Sequence, residues 1–266
     1  MAKLMTEWEV QDDSTLVGFA GDWHGNSTGV GEKIRRLYLS IVTRLMHVGD
    51  FGLWDDRSGR RFLDQVNGSA EESGILIVVT AGNHEDWRYI TSAFAAAEGA
   101  PAMIRSQIVT LPRGHRWTHR GHSFVSFGGA ASIDFEFGRL ARSWWIEEVP
   151  TLDDAAALAA GGHAEIMITH YCPAPGTLLV NRIRATPSGW SIDTLAYAAM
   201  GASRITAAWE AVAPDLLVHG HLHVQDAITL PSGQRIVSLA AEDAPGNVML
   251  LNLEMMATSW LEDLDD

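Results

Sequence analysis

Six consecutive residues, Ala81 to Asp86, bring an amide, an imidazole and two carboxylates together in one short stretch. They follow an apolar run from Ile75 to Thr80, which is typical of a buried strand that breaks into a turn at Gly82. An apolar core does not accept such a cluster without partners, because each polar group loses water on burial. A single polar turn of this kind is more often a helix cap than an active site.

The same arrangement, an apolar run followed by a turn with metal-type ligands, occurs four more times along the chain. The residues in these four turns are Asp22 and His24, Asp50, His170, and His221 and His223. Ligands of α/β proteins gather beyond the carboxyl ends of the strands, so groups that are far apart in sequence can converge there. Together with Asn83 in the first turn, they predict a metal site.

The types of these side chains fit a centre that holds two divalent ions. Carboxylate, imidazole and amide groups suit manganese, iron, zinc or nickel, whereas a multi-thiolate site is excluded because Cys172 is the single cysteine. A shared carboxylate can bridge two ions. Asp50, which is alone on its turn, is the natural bridge. We expect two ions, with manganese favoured.

Taken in order, the five turns resemble the five motifs of the calcineurin-like metallophosphoesterase superfamily. The motifs are Gly-Asp-x-His-Gly from Gly21, Gly-Asp from Gly49, Gly-Asn-His-Glu from Gly82, Thr-His from Thr169 and His-Gly-His-x-His from His219. Each is short, but five in the same order are highly specific and cover most of the chain. A Gly-Gly-Ala run at Gly128 and the pair Trp144-Trp145 also resemble bacterial and phage members.

The resemblance implies a role for each of these residues. Asp22, His24 and His223 would hold the first ion, Asn83, His170 and His221 the second, and Asp50 would bridge them. His84 would not be a ligand but the general acid that protonates the leaving group, since histidine titrates near neutral pH. Attack in line by a hydroxide that bridges the ions would make the chain a phosphoric ester hydrolase.

The stretch after Asp50 departs from the pattern of protein Ser/Thr phosphatases, which carry Gly-Asp-x-Val-Asp-Arg-Gly. Here Asp55, Asp56 and Arg57 follow at longer spacing, which argues against a protein phosphatase. Arg57 and Trp54 are interpreted as candidate substrate-binding residues, one for phosphate and one for stacking on a nucleobase or aryl group. The expected substrate is a small phosphodiester or phosphomonoester, with a nucleotide somewhat favoured.

The composition limits the partners that the chain can have. A net charge of −14 disfavours nucleic acid and anionic membranes, because both attract positive surfaces. No apolar run is long enough to span a bilayer and the N-terminus does not resemble a signal peptide, so we expect a soluble, cytoplasmic protein. The alternatives are a DNA or RNA nuclease of the same superfamily and a non-catalytic scaffold that keeps the fold. The sequence does not indicate the oligomeric state.

Helices and strands that position these residues alternate early in the chain, and meandering strands follow later. Helices are predicted near 30–46, 60–66, 90–97, 151–160 and 203–212, with a Pro- and Gly-containing excursion over 173–189. We expect one domain over residues 1–266, with 1–14 as a loosely held lead-in and 261–266 as a frayed acidic tail. The resemblance implies an α/β fold, a four-layer αββα sandwich of two mixed β-sheets flanked by helices.

Overall fold

The computed structural model describes residues 14–138, 140, 143–186 and 189–265. The expected lead-in over residues 1–14 therefore lies outside the described residues, apart from Ser14. Within the described part of the chain, no helix combines the length and the apolar character that a membrane span needs.

Seven strands form the first sheet. In spatial order they are β13 (Ala257–Trp260), β12 (Val248–Asn252), β1 (Leu16–Ala20), β2 (Arg44–His47), β3 (Leu76–Thr80), β5 (Ile108–Leu111) and β4 (Ala102–Arg105). Strands β1, β2, β3 and β5 are parallel, whereas β4 and β12 pair antiparallel with this central group and β13 pairs antiparallel with β12. Every residue of β3 is buried, as expected for a parallel strand that is covered on both faces.

Six strands form the second sheet. In spatial order they are β10 (Asp226–Thr229), β11 (Arg235–Ser238), β9 (Leu216–His219), β8 (Ile166–Thr169), β7 (His122–Phe127) and β6 (Arg116–His119). Strands β11, β9, β8 and β7 are parallel, and β10 and β6 close the two edges as antiparallel partners. Both sheets are therefore mixed, as predicted.

In the described part of the chain, six α-helices connect and cover these sheets. They are α1 (Val30–Leu39), α2 (Arg57–Ser73), α3 (Trp87–Ala96), α4 (Leu152–Ala160), α5 (Leu178–Ala185) and α6 (Ile192–Val212). Side-chain caps define where several of them begin: the Asp56 carboxylate accepts a hydrogen bond from Gly59 N, and Thr151 forms a capping box with Asp154. Short 3-10 helices occupy Phe135–Phe137, Ile146–Glu148 and Leu261–Asp265.

Three groups of buried side chains define the layers. Between the sheets, Phe19 and Val78 of the first sheet belong to one apolar cluster with Phe124 and Val218 of the second. A further cluster joins helices α1 and α2 to the outer face of the first sheet, and another joins α4 and α6 to the outer face of the second. The predicted four-layer αββα sandwich is therefore confirmed.

The second half of the chain differs from the sequence prediction in three places. The excursion over 173–189 contains α5, and α6 begins at Ile192 rather than near residue 203. Gly201 lies inside α6 at a point where a Cβ would overlap Ala131, so the helix approaches that residue closely. Residues 261–265 form a 3-10 helix instead of a frayed tail: Leu261 is buried, and its carbonyl accepts a hydrogen bond from Arg36 Nη2 (2.8 Å).

Candidate metal centre

The predicted ligands lie where five parallel strands end, three in the first sheet and two in the second. The turns after β1, β2 and β3 carry Asp22 and His24, Asp50, and Asn83 and His84, and those after β8 and β9 carry His170 and His221 with His223. Backbone hydrogen bonds join neighbouring turns, as from Asp22 N to Gly49 O (2.9 Å). Between the sheets, His221 N donates to Asp22 Oδ1 (3.0 Å). The two sheets therefore meet at one edge, and the candidate site lies there.

Three sets of side chains at this edge place their nitrogen and oxygen ligand atoms within 4.8 Å of one another. The sets are Asp22, His24 and His223; Asp50, His170 and His221; and His24, Asp50 and His84. The first two correspond to the predicted ligand groups of the two ions. The third places His84 directly beside them.

A hydrogen bond orients His24 of the first set. His24 Nδ1 lies 3.0 Å from the backbone oxygen of Asp22, which fixes the proton of the neutral ring on that nitrogen. Its Nε2 then faces Asp50 Oδ2 at 3.3 Å, and His223 Nε2 lies 3.4 Å from Asp22 Oδ1. Each nitrogen lone pair thus faces a carboxylate oxygen, an arrangement that needs a proton or a cation between the two atoms.

The second set is arranged in the same way but is buried. His170 donates from Nδ1 to Val48 O (2.9 Å), so that Nε2 faces Asp50 Oδ2 (3.2 Å) and Asn83 Oδ1 (3.0 Å). His221 Nδ1 lies 2.9 Å from the same amide oxygen of Asn83. The four side chains therefore direct two imidazoles, an amide oxygen and a carboxylate at a common point.

Asp50 lies between the first and second sets. Its carboxylate is 2% exposed, and Oδ2 lies beside both His24 Nε2 and His170 Nε2. Oδ1 accepts a hydrogen bond from His84 N (2.9 Å), which holds the carboxylate in place. This position between the two sets is the one that a bridging ligand requires, and the bridging role itself stays a prediction.

The charges at the site favour bound cations. Burial opposes protonation of His170, yet the charge and the hydrogen bond of Asp50 outweigh it and raise its pKa to about 9. Burial also opposes protonation of His24, but its hydrogen bond to Asp50 and the charge of Asp50 outweigh burial and raise the pKa of His24 to about 9. His221 Nδ1 and His170 Nε2 lie 3.3 Å apart and both approach the amide oxygen of Asn83. Nitrogen and oxygen ligand atoms gathered in this way suit a cation, so the residues present fit two divalent ions.

The backbone is strained at the predicted ligands. Asp22, His24, Asp50, His221 and His223 all have φ between 47° and 72°, in the left-handed region. Residues other than glycine adopt this conformation at a cost of roughly 1–3 kcal/mol, and such residues concentrate at functional sites. The strain turns the chain sharply after each strand, which aims the side chains into the site.

A pocket of about 490 Å³ opens beside His24 and the half-buried His84. Trp54 and Trp145 line it together with Arg88, which the sequence interpretation missed. Trp54 Nε1 donates to the backbone oxygen of His84, so the indole supports the turn that carries this imidazole. The pocket gives a substrate access to His84.

Arg57, predicted to bind phosphate, does not line this pocket. It lies in the first turn of α2 and lines an adjoining groove with Arg61 and Gln65. Among the described residues, Arg88 in the first turn of α3 is the arginine that reaches the pocket beside His84. A single basic residue in a polar sequence carries no signal that would have distinguished Arg88 from Arg57.

Glu85 supports the site from behind. It is fully buried, and its Oε1 accepts hydrogen bonds from the backbone nitrogens of Phe51 (2.6 Å) and Gly52 (3.2 Å). Its Oε2 accepts one from Gly82 N. The carboxylate thus ties the turn after β2 to the turn after β3, although burial and the nearby charge of Asp50 raise its pKa.

Two further histidines lie next to the site without joining the three sets. His47 and His219 are fully buried, and burial lowers the pKa of both, that of His219 to about 3. His47 Nδ1 accepts from Gly49 N (3.3 Å), and His219 Nδ1 donates to Gly220 O (3.0 Å). Both are therefore neutral structural histidines.

Comparison with known proteins agrees with this geometry. The family model for calcineurin-like phosphoesterases matches residues 15–225. No curated protein matches the chain.

Solved structures share the fold at low sequence identity. One aligns with a TM-score of 0.60 at 14% identity, covering 92% of this chain and 97% of the other. The protein TT1561 of Thermus thermophilus aligns with a TM-score of 0.56 at 12% identity, covering 92% and 98%. A dimetal phosphatase from Danio rerio aligns with a TM-score of 0.56 at 13% identity, covering 90% and 92%.

Proposed function

The chain belongs to the calcineurin-like phosphoesterase family, and we propose that it hydrolyses a small phosphodiester or phosphomonoester with two divalent metal ions. The observation that carries the proposal is the position of Asp50 between the two ligand sets, with His84 beside them and open to a pocket. A dimetal phosphatase from Danio rerio with the same fold has an activity of the kind proposed.

The proposed ligands divide between the sets described above. Asp22, His24 and His223 would hold one ion, Asn83, His170 and His221 the other, and Asp50 would bind both. Divalent ions bound there supply positive charge, which activates water for attack and offsets the charge on the phosphate oxygens. Manganese is favoured, and iron, zinc or nickel suits the same ligands.

His84 is the proposed general acid. It is half-buried, its ring centre lies 5.7 Å from that of His24, and it lines the substrate pocket. An imidazolium there can give its proton to the departing alkoxide. The hydrogen bonds from Trp54 and to Asp50 hold the backbone of His84 at the correct distance from the ligand sets.

The pocket indicates a small substrate. Its volume of about 490 Å³ lies within the usual range for small-molecule sites, and the rings of Trp54 and Trp145 can contact a nucleobase or an aryl group. Arg88 supplies a cation for a phosphate oxygen, whereas Asp55, Asp56 and Asp86 add carboxylates to the described lining. With a net charge of −14, this lining argues against a nuclease.

The test is hydrolysis of bis-p-nitrophenyl phosphate and p-nitrophenyl phosphate with added manganese. Asp50→Asn is expected to lose about a hundredfold or more of the wild-type rate, because it removes the charge that lies between the two sets. His84→Ala should lose about 10²–10⁴-fold on an ester with a basic leaving group such as phenyl phosphate, and less with p-nitrophenolate, which departs without a proton.

His163→Ala is the matched control, because this exposed histidine lies outside the three ligand sets. Wild-type rates in both Asp50→Asn and His84→Ala would contradict the mechanism. A protein that binds no metal would favour the scaffold alternative, and one that holds two ions but cleaves neither ester class would contradict the proposed substrates.

A further inference from the structure

Three buried side chains form a chain of hydrogen bonds that leads away from the second ligand set. Asn83 Nδ2 donates to Ser132 Oγ (2.9 Å), and Ser132 Oγ donates to Glu148 Oε2 (2.8 Å). Asn83, Ser132 and Glu148 are 1%, 1% and 0% exposed. The proposed roles of the ions make no use of Ser132 or Glu148.

The carboxylate of Glu148 sets the direction of this chain. Its Oε1 accepts from Ser132 N (2.7 Å), Tyr197 Oη (2.9 Å) and Trp144 Nε1 (3.2 Å), so four donors surround a group that, when ionised, only accepts. Ser132 has a single hydroxyl proton. Because that proton goes to Glu148, Ser132 presents a lone pair to Asn83.

This direction decides which end of the Asn83 amide faces the ligand set. The oxygen and the nitrogen of an amide are almost equal in shape, so the hydrogen-bond partners choose between the two orientations. A lone pair on Ser132 requires the NH₂ group on that side. The oxygen then faces His170 Nε2 (3.0 Å) and His221 Nδ1 (2.9 Å), as observed.

We propose that Glu148 is a positioning residue, which acts through Ser132 to keep the amide oxygen of Asn83 turned toward the second metal site. The inference rests on the proposed function, because it requires that Asn83 is a metal ligand. An amide oxygen binds a divalent ion, whereas an NH₂ group in its place does not.

The segment that carries Glu148 is anchored without help from its carboxylate. Arg113 donates to the backbone oxygens of Gly128, Glu147 and Glu148 (2.6–2.9 Å), and its guanidinium lies 4.1 Å from the ring centre of Trp87. A change of the Glu148 side chain should therefore leave the path of the backbone intact. Burial raises the pKa of Glu148 to about 7, so the Mn²⁺ titrations described below are made at pH 8, where the ionised carboxylate only accepts hydrogen bonds.

Glu148→Gln is the informative substitution, because glutamine keeps the shape of the side chain and reverses the direction of the hydrogen bonds. Three donors face the Oε1 position, so the glutamine oxygen should occupy it and its NH₂ group should replace Oε2. That NH₂ group donates to Ser132 Oγ, whose proton then turns to Asn83. The amide of Asn83 is expected to flip and to present its NH₂ group to the metal site.

The experiment is calorimetric titration of the metal-free protein with Mn²⁺, repeated in an Asn83→Asp background. A carboxylate at position 83 has two oxygens, so the direction of the hydrogen bonds through Ser132 no longer decides which atom faces the ion. With Asn83 present, Glu148→Gln should weaken one of the two Mn²⁺ sites roughly 10–100-fold. In the Asn83→Asp background the same change should weaken neither site.

Tyr197→Phe is the control, because it removes one donor to Glu148 Oε1 but leaves the link through Ser132 intact, and it should bind both ions as the wild type does. Ser132→Ala removes the link itself and should weaken the same single site. It serves as the second variant if Glu148→Gln does not fold. Circular dichroism of the metal-free variants establishes that they are folded.

Equal losses of affinity in the two backgrounds would overturn the proposal, since the loss of a negative charge or of packing would act in both. Unchanged Mn²⁺ binding by both Glu148→Gln and Ser132→Ala would overturn it as well. If the wild type itself binds no Mn²⁺, the result contradicts the proposed metal centre as well as this inference. That outcome is distinguishable because it appears before any variant is made.

Discussion

The single cysteine lies two residues beyond His170, yet the structure makes it chemically inert. The Cys172 side chain is fully buried in the cluster that contains Val180, and burial raises the pKa of its thiol to about 11. The thiol therefore stays protonated at pH 8, and the thiolate is the reactive form. We expect no reaction with dithionitrobenzoate in the native protein and one reacting thiol after unfolding in guanidinium.

Cys172→Ala provides the blank for that assay. A rapid reaction of the native wild-type protein would show that the segment after His170 opens to solvent. It would also mean that the buried second ligand set is less enclosed than the structure indicates.

The proposed metal ligands carry a clearer signal in the sequence than the residues that line the pocket, for a physical reason. The proposed ligands follow closely on apolar strands, so a residue such as Asp50 is marked both by its type and by its position. Arg88 approaches the pocket only because α3 begins at the turn of His84, and nothing local distinguishes it from Arg57. The role of Glu85 depends on three backbone nitrogens of separate turns, which a sequence does not show.

At the scale of the elements, the site depends on how closely the turns after β2 and β3 approach each other. A Cβ on Gly82 would overlap both the backbone nitrogen and Oδ1 of Asp50 and would also contact His170 Nε2. Gly82→Ala should therefore displace Asp50 and abolish binding of Mn²⁺, and overpacking of this kind costs about 1–3 kcal/mol of the free energy of unfolding. Calorimetric titration and thermal unfolding measure the two effects.

Gly68→Ala is the matched control for Gly82→Ala. Gly68 lies inside α2 and a Cβ there would meet nothing within 4 Å, so alanine should stabilise the helix by about 0.5–1 kcal/mol and leave Mn²⁺ binding unchanged. Mn²⁺ binding by Gly82→Ala at wild-type affinity would show that the two turns can separate without loss of the site.

The sequence predicts best those helices whose two ends are both marked by local residues. Thr151, Asp154 and the glycines after Ala160 mark both ends of α4, and the structure confirms them. Helix α6 begins at Ile192, earlier than predicted: its alanine-rich first half favours a helix, but Gly201 interrupts that signal in the sequence. The close approach of Gly201 to Ala131 is a tertiary contact, which local propensity cannot indicate.

At the scale of the whole molecule, the candidate site joins the two sheets. Asp22 and Asp50 come from the first sheet, and His170 and His221 from the second. In the absence of cations, the strained turns and buried carboxylates oppose this junction. Ions bound there would hold the sheets together at their common edge, so metal binding and folding should be linked.

We therefore expect Mn²⁺ to raise the temperature of unfolding of the protein after treatment with a chelator. At a free concentration of 100 times the dissociation constant, one filled site contributes about 2.7 kcal/mol, which for a chain of this size corresponds to roughly 5–10 °C. Mg²⁺ should produce a smaller shift, because it prefers oxygen ligands and four of the proposed ligands are imidazoles.

The contribution of the second sheet can be separated with one pair of variants. His170→Ala removes a ligand that only the second sheet supplies, so it should reduce the shift produced by Mn²⁺, whereas the exposed His163→Ala should keep it in full. Scanning calorimetry with and without Mn²⁺ measures both. An equal shift in His170→Ala would mean that His170 is not a ligand and that the second sheet could hold the ions only through His221 and His223.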